Sequence, residues 1–480
     1  MEAGDRFPSL VVAMKNLSSE KTLTHCRSGV VNGSHATDGR RPIRLADLPD
    51  HVILHILSFL SITDAIKFST VSRKFRFAWS FISNLDFDQR VFPDPDNSRL
   101  YADFVDRTLI LFAAASLGGF RLWFDYEQRY SSHVDSWVLF AVRKNVEALH
   151  LRLSGYRRSY GTHVGDPYHF PLALLCHGRL RVLNLCYCSF DSKPLLHFPH
   201  LKSVFLDDVK INDEAVPNLV SGCPLLEELS LDYCYTIQHL KIVSGRLKKL
   251  ELMHYQRPNS SVEIFAPNLL TLSCLHYVAD KYEFRDLGSL VHAIVYFMDT
   301  QELLPRWRIV LGSVKHAKTI HLLNWWNTDL AEARNKDMIM LWNTHCLGLK
   351  TGNTKMEMFG IADFLRIAPN VITLILDIIN TEAVNWKDGS ERAFGKRCLE
   401  EELRGRLRHL KTVIVRSFVG SENELELLKY LLTHGVVLEK MSLLSAKPRC
   451  QFASEELLAD TLKALQSFGQ SFPNVEISLS

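Results

Sequence analysis

Two cysteines one residue apart, Cys186 and Cys188, are the first place in this sequence where side chains could act together. A structural zinc takes four ligands, usually as two close pairs, and no second pair accompanies these, so two residues of a strand are the simpler assignment. Cys176 beside His177 is the nearest approach to a nucleophile with a base. Such pairs are assembled in space rather than along the chain, and no local signature surrounds this one. Tyr156-Arg-Arg-Ser-Tyr160 mixes aromatic and basic side chains in a way that suits single-stranded nucleic acid. A solvated loop between repeats is the simpler assignment, as core plus rim is for Trp325-Trp326 rather than a ligand cage. The sequence has no Gly-x-x-x-x-Gly-Lys-Ser/Thr loop, no His-Glu-x-x-His and no Gly-x-Ser-x-Gly elbow. No catalytic residue, cofactor or metal is therefore expected.

Bulk composition points the same way. The 480 residues are 47% hydrophobic and 23% charged, which is globular, and they exceed one ordinary compact domain. With 56 basic and 53 acidic residues the net charge is +3, giving no general attraction to nucleic acid or an anionic membrane. No apolar run approaches the ~20 residues that span a bilayer, and residues 9–14 are too short for a signal-peptide core. The expected location is the cytoplasm and/or the nucleus, where the ten cysteines stay reduced.

What remains is a set of elements suited to holding partners. Residues 1–43 are rich in Ser, Gly, Thr and Arg and read as a flexible tail. Order begins near Leu45. Pro49 suits the first helical position and Asp50 the first turn, and Val52, Ile53, Ile56, Leu57 and Leu60 share one helical face. Thr63 and Ser72 are expected to cap a second and a third helix, to which Ala65, Phe68, Val71, Phe75 and Trp79 add apolar faces. Arg73, Lys74 and Arg76, interleaved with Phe75 and Phe77, fit the wet face of a helix better than a nuclear signal. Three helices this short need something to pack against.

The segments Leu48-Pro-Asp, Ile56-Leu-Ser-Phe-Leu, Thr63-Asp-Ala, Val71-Ser-Arg-Lys-Phe-Arg, Trp79 and Asn84-Leu-Asp-Phe-Asp together resemble the plant F-box. Val71-Ser-Arg-Lys-Phe departs from the family's usual Leu-Ser-Lys-Arg-Trp but keeps an aromatic at Phe75. The resemblance implies a trihelical module, residues 44–90, that docks on a Skp-type adaptor and through it on a cullin and a RING subunit. Leu48, Pro49, Ile53, Ile56, Leu57, Leu60, Val71 and Trp79 carry the match. Which of them face the adaptor and which brace the module does not follow from one sequence.

Beyond it a pattern recurs: apolar, two residues, apolar, one residue, apolar. It runs Val146/Leu149/Leu151, Leu180/Leu183/Leu185, Leu201/Val204/Leu206, Leu226/Leu229/Leu231, Leu247/Leu250/Leu252, Leu269/Leu272/Cys274 and Val291/Ile294/Tyr296. From Leu180 the starts are 21, 25, 21, 22 and 22 residues apart, inside the leucine-rich-repeat range of about 20–29. Pro199, Pro224, Pro267 and Pro369 each precede a copy by two residues, where proline ends the previous element. Gly222 is placed to end a helix built on Ala215, Leu219 and Val220. Ile320/Leu322 and Val371/Leu374/Leu376 look like further strands, and 327–360 and 380–400 like irregular insertions. Residues 398–480 resemble the FBD domain of plant F-box proteins. They alternate strand and helix: Leu410–Arg416, then a helix with Leu425, Leu428, Leu431 and Leu432 inward, Leu438–Leu444, Leu457–Leu465, and a last strand with Val475, Ile477 and Leu479.

The expected architecture is therefore α/β: tail, F-box, a leucine-rich-repeat horseshoe over 91–397, and an FBD-like continuation or cap over 398–480. The function the resemblance implies is a substrate-recruiting, non-catalytic subunit of a ubiquitin ligase. The alternative is a scaffold that binds the adaptor without delivering a substrate. If the last two apolar residues of each repeat point inward, strand alternation sends their neighbours to the open, concave face. His150, Asn184, Phe205, Ser230, Glu251 and Ser273 then form the middle row of that face. Phe205 is expected either to be an exposed aromatic among polar groups, the form of a binding hot spot, or to be covered by the F-box linker or the C-terminal unit. Asn184, Phe205, Asp207, Ser230 and Asp232 are the candidate contacts for an unidentified protein substrate, with the aspartates favouring a basic segment.

Overall fold

The computed structural model describes residues 48–153, 165–176, 178–191, 197–256, 259–296, 304–323, 339–352, 355–378, 407–445 and 455–479. The chain packs as two compact units, Met1–Cys188 and Ser189–Ser480.

In the first unit α1 (Asp50–Leu57) follows Pro49, which stands at the N-cap with ψ 149° rather than at the first helical position. Asp50 keeps its carboxylate in the first turn, where the helix dipole favours it. The cap of α2 (Ile62–Phe68) is Ser61, whose Oγ accepts from the Asp64 N–H at 3.2 Å; the expected cap, Thr63, lies inside the helix. The expected third helix is instead two 3-10 turns, Arg73–Phe75 and Ala78–Phe81. Ser72 does cap the first of them, accepting from the Lys74 N–H. Aromatic residues are weak α-helix formers because they lose rotamer freedom there, and this stretch is dense in them. Ile53, Leu57, Ile62, Ala65, Phe75 and Trp79 form the interior of the module.

Ser80 O receives the N–H groups of both Ala113 and Ala114, and Ser83 O that of Gly118 at 2.7 Å. Those bonds lead into a parallel ladder of β1 (Asn84–Asp88), β2 (Gly119–Trp123), β3 (Ala148–Arg152) and β4 (Val182–Cys186). Leu85/Phe87 and Phe120/Leu122 bury the same alternate positions as the repeats that follow. The ladder thus starts two strands earlier than the recurring pattern indicated, and its first strand lies inside the F-box stretch. Gly119 permits this: a Cβ there would sit 2.9 Å from Asn84 Oδ1.

Two helices cover these strands, α3 (Ser98–Leu111) and α4 (Ser131–Arg143), and Asp106 joins them. It accepts from Trp137 Nε1–H at 2.6 Å and lies 2.9 Å from His133 Nδ1. Asp106→Ala leaves the buried indole N–H unsatisfied, so it is expected to cost about 1–3 kcal/mol. The shift of the denaturation midpoint measures this, and an unchanged midpoint refutes it.

In the second unit the main sheet carries eleven parallel strands among the described residues: β5 (Ser203–Asp207), β6 (Glu228–Asp232), β7 (Lys249–Gln256), β8 (Thr271–Val278), β9 (His292–Tyr296), β10 (Thr319–Leu323), β11 (Cys346–Thr351), β12 (Thr373–Ile378), β13 (Thr412–Phe418), β14 (Lys440–Ser445) and β15 (Glu476–Leu479). Each pairs with the next. The apolar pairs Val204/Leu206 through Leu443 point to one side, where they are buried. α5 (Ala215–Gly222) joins β5 to β6 and ends at Gly222. The next three connections are themselves strands, His239–Val243, Ser261–Phe265 and Lys281–Arg285, paired as a second parallel sheet. Beyond these come α6 (Leu304–Val314) and α7 (Lys355–Ile367).

Three expectations change here. In β9 the inward residues are Ala293 and Val295, which pair with Leu272 and Cys274, while Ile294 and Tyr296 face the other way. Leu290 to Tyr296 is apolar at almost every position and fits either phase; pairing with β8 selects one. Second, β11 lies within the stretch expected to be an insertion. Its first repeat position holds Thr344, buried because its hydroxyl donates to Ala317 O at 3.1 Å, and a threonine there hides the pattern. Third, α8 (Glu422–His434) buries Leu427 together with Leu428, Leu431 and Leu432, and Leu425 lies at its flank. Ser421 and Glu424 close its N-terminus as a capping box, which turns Glu424 inward. With α9 (Glu455–Ser471), the strands β13 to β15 continue the ladder. Residues 380–400 lie outside the described residues.

Candidate functional site

The F-box apolar residues divide into two groups. Ile53, Leu57 and Trp79 are enclosed by the chain's own side chains, so as folded they offer no contact surface. Leu48 and Ile56 are half-buried and Pro49 is exposed. Leu60 and Val71 face outward, joined by three residues the sequence reasoning did not select: Phe59 (74% exposed), Phe77 and Phe81. Five large apolar side chains are thus turned to solvent on one small module, an unusual concentration for a surface with no partner. Lys74 ties the module to the start of its first helix, with Nζ donating to Leu48 O at 2.8 Å and lying 3.7 Å from Asp50.

The strand face offers a second surface. In the first unit its middle row is Asp86, Arg121, His150 and Asn184, with Arg121 Nη1 3.1 Å from Asp86. Beside that row the guanidinium groups of Arg90 and Arg152 lie over the Trp123 ring, at 3.3 and 4.6 Å from its centre.

In the second unit Phe205 pairs with Ser230, and Asp207 with Asp232. Phe205 is half-buried rather than exposed, and Ser230 is buried. Side chains of neighbouring strands stand about 5 Å apart and cover one another. Asp207 and Asp232 are half-buried at the ends of their strands. His254 Nδ1 is hydrogen-bonded to Asp232 Oδ1 at 2.8 Å, and its ring stacks on Tyr233 with 4.4 Å between centres. Burial raises the Asp232 carboxyl above the ordinary aspartate range, with the His254 bond opposing and the Asp207 charge adding. The sequence reasoning missed Tyr233, Tyr235 and His254. Their signal was available: Asp208, Tyr233 and His254 recur 25 and 21 residues apart, as Leu201, Leu226 and Leu247 do, each five residues after the start of its strand, and all three have positive φ.

Cys188 Sγ donates to Cys186 O, within the chain's own hydrogen bonding. Among the described residues no group of three or more His, Cys, Asp or Glu is placed to hold a metal ion, and no helix is long and apolar enough to cross a membrane. His177, Tyr156-Arg-Arg-Ser-Tyr160 and Trp325-Trp326 lie outside the described residues.

A helical module with outward apolar side chains, followed by parallel strands of leucine-rich spacing, defines a protein-binding class of repeat protein. Comparison with known proteins gives the family. The F-box domain matches residues 45–85, and the family described as At1g61320/AtMIF1, LRR domain, matches residues 119–463. The chain belongs to the plant F-box/LRR-repeat proteins. Arabidopsis thaliana F-box/FBD/LRR-repeat protein At1g13570 is 33% identical over 201 residues, 41% of this chain and 45% of that protein. Putative F-box/LRR-repeat protein At5g02930 is 29% identical over 267 residues, 55% and 53% of the two chains. F-box/LRR-repeat protein At4g14096 is 26% identical over 427 residues, 83% and 87%. The matched region spans about half the length of the first two relatives and most of the third.

Proposed function

We propose that this protein is the substrate-recognition subunit of an SCF-type ubiquitin ligase. Its F-box binds a Skp-type adaptor, the adaptor brings a cullin and a RING subunit, and the strand face holds a protein to be modified. The observation that carries this is the outward apolar set Phe59, Leu60, Val71, Phe77 and Phe81 on a module whose interior is already filled. Such a surface is complete as a fold and incomplete as an interface.

The chain's own part is binding. Cys176, Cys186, Cys188, Cys223, Cys234 and Cys274 are buried, and burial pushes the Cys234 and Cys274 thiols up to about 12. A thiol so shifted carries almost no thiolate near neutrality, which suits structural cysteines and not a ubiquitin carrier. The same reading places the protein in the cytoplasm or nucleus with its adaptor.

The recruiting contacts proposed in the second unit are Phe205, Asp207 and Asp232, with the aspartates taking a basic or hydrogen-bond-donating segment; Asn184 is a separate candidate on the first unit's own strand face. Proximity labelling under proteasome inhibition, comparing the unaltered chain with Phe205→Asp, tests both levels. Adaptor and cullin are expected with both chains, and specific client proteins only with the unaltered one. An unchanged client list with the variant folded moves the substrate site off these residues. Absence of cullin from both favours the scaffold alternative.

A further inference from the structure

Along the second unit the middle row of the strand face changes character. Ser230, Glu251 and Ser273 are polar, but from β9 the register aligns Ile294, His321, Gly348, Ile375 and Ile414. Ser442 and Ser478 then return the row to polar. The three isoleucines are half-buried, so part of each side chain meets solvent on a face whose alternate residues fill the core. Gly348 makes room in the row for the neighbouring His321. A Cβ there would lie 2.1 Å from His321 Nδ1, so the imidazole takes the space that a side chain at 348 would fill.

The borders of this stretch differ. On one side stand Thr319, Cys346, Thr373 and Thr412, whose small side chains widen the apolar strip. On the other stand Lys350, Asp377 and Arg416. Asp377 Oδ1 accepts from Ser417 Oγ at 3.3 Å. Neither Lys350 nor the exposed Arg416 has an ion pair among the described residues. The Arg416 charge extends across the face: after burial it is the largest influence lowering the His321 pKa, and it opposes the upward shift that burial gives the Cys346 thiol. Two cations against one anion leave this border positive, so a segment carrying a carboxylate is drawn to it and a basic one repelled.

We propose that this row receives an extended segment of the recruited protein, with an apolar side chain laid on Ile375 and Ile414 beside the His321 ring over Gly348 and a carboxylate meeting Arg416 and Lys350. The inference rests on the proposed substrate-recruiting role and adds the chemistry of the recruited segment. It also gives the segment a direction. Its acidic part lies over β11 to β13, and any basic part lies toward Asp207 and Asp232.

The test uses the full chain purified with its Skp-type adaptor and a phage-displayed library of random peptides. The enriched peptides are expected to pair a large apolar residue with Asp or Glu within a few positions. Binding of a selected synthetic peptide should weaken about tenfold or more on Ile375→Asp and on Arg416→Glu, the loss typical of an interface anchor. Because Arg416 is exposed, its reversal leaves the core untouched, and a peptide with Lys replacing its acid should regain affinity for Arg416→Glu. An empty pool, a pool without this pairing, or peptides indifferent to Arg416→Glu overturns the proposal. Adaptor yield measured on the same preparations separates failure of this surface from failure of the F-box reading.

Discussion

A chain carrying Phe59→Asp and Val71→Asp is expected to fold normally and to lose its Skp-type adaptor. Phe59 is 74% and Val71 66% exposed, so neither side chain supports the module's interior and a carboxylate in either place stays hydrated. Interface anchors of this size are worth about 2–4 kcal/mol each, so the pair should weaken the complex roughly a thousandfold or more. Co-purification from cells and affinity measured with the isolated adaptor read the effect directly. Leu57→Ala is the informative contrast. That side chain is fully enclosed, so its truncation should cost about 2–5 kcal/mol of the module's stability, and any adaptor loss should follow unfolding. Normal adaptor yield from the folded double variant excludes the outward apolar face as the docking surface.

Phe124→Ala should be the most damaging single truncation in the first unit. Phe124 has no exposed surface; its ring stacks on Tyr101 at 6.0 Å and meets Tyr130 and Trp137 edge-on, each at 5.3 Å. Removing a ring at the centre of such a cluster deletes both its transfer free energy and the contacts of its neighbours, which costs about 3–5 kcal/mol. The urea midpoint should fall, and amide exchange should accelerate through α3 and α4. Ile110→Ala, at a side chain 81% exposed on α3, should leave both unchanged. A Phe124→Ala chain with a normal midpoint would show that the cluster closes over the gap.

The strand ladder was legible because its cause is local. One alternation places Val204 and Leu206, Leu229 and Leu231, Leu250 and Leu252 on the buried side, and a chain with that spacing every 21 to 25 residues buries them by stacking. Legibility failed where local cause was ambiguous. Between Leu290 and Tyr296 either phase is apolar, and only pairing with β8 turned Ala293 and Val295 inward. At β11 a hydroxyl bond to Ala317 O let Thr344 take an apolar position, an interaction 27 residues away that no periodicity reveals.

The surfaces divide in the same manner. The sequence by itself determined that an F-box precedes leucine-rich repeats and that no metal or nucleophile motif accompanies them, because motif and period are properties of residue order. Tertiary structure alone decided which F-box residues face out. Leu57 and Leu60 belong to one apolar run, yet one is enclosed and the other open, because burial depends on what the short helices pack against. Tertiary structure also stacked Tyr233 on His254 and set His321 over Gly348, pairs contributed by different repeats. A repeat period shows that such residues recur, but register and side-chain direction across neighbouring strands decide which of them meet.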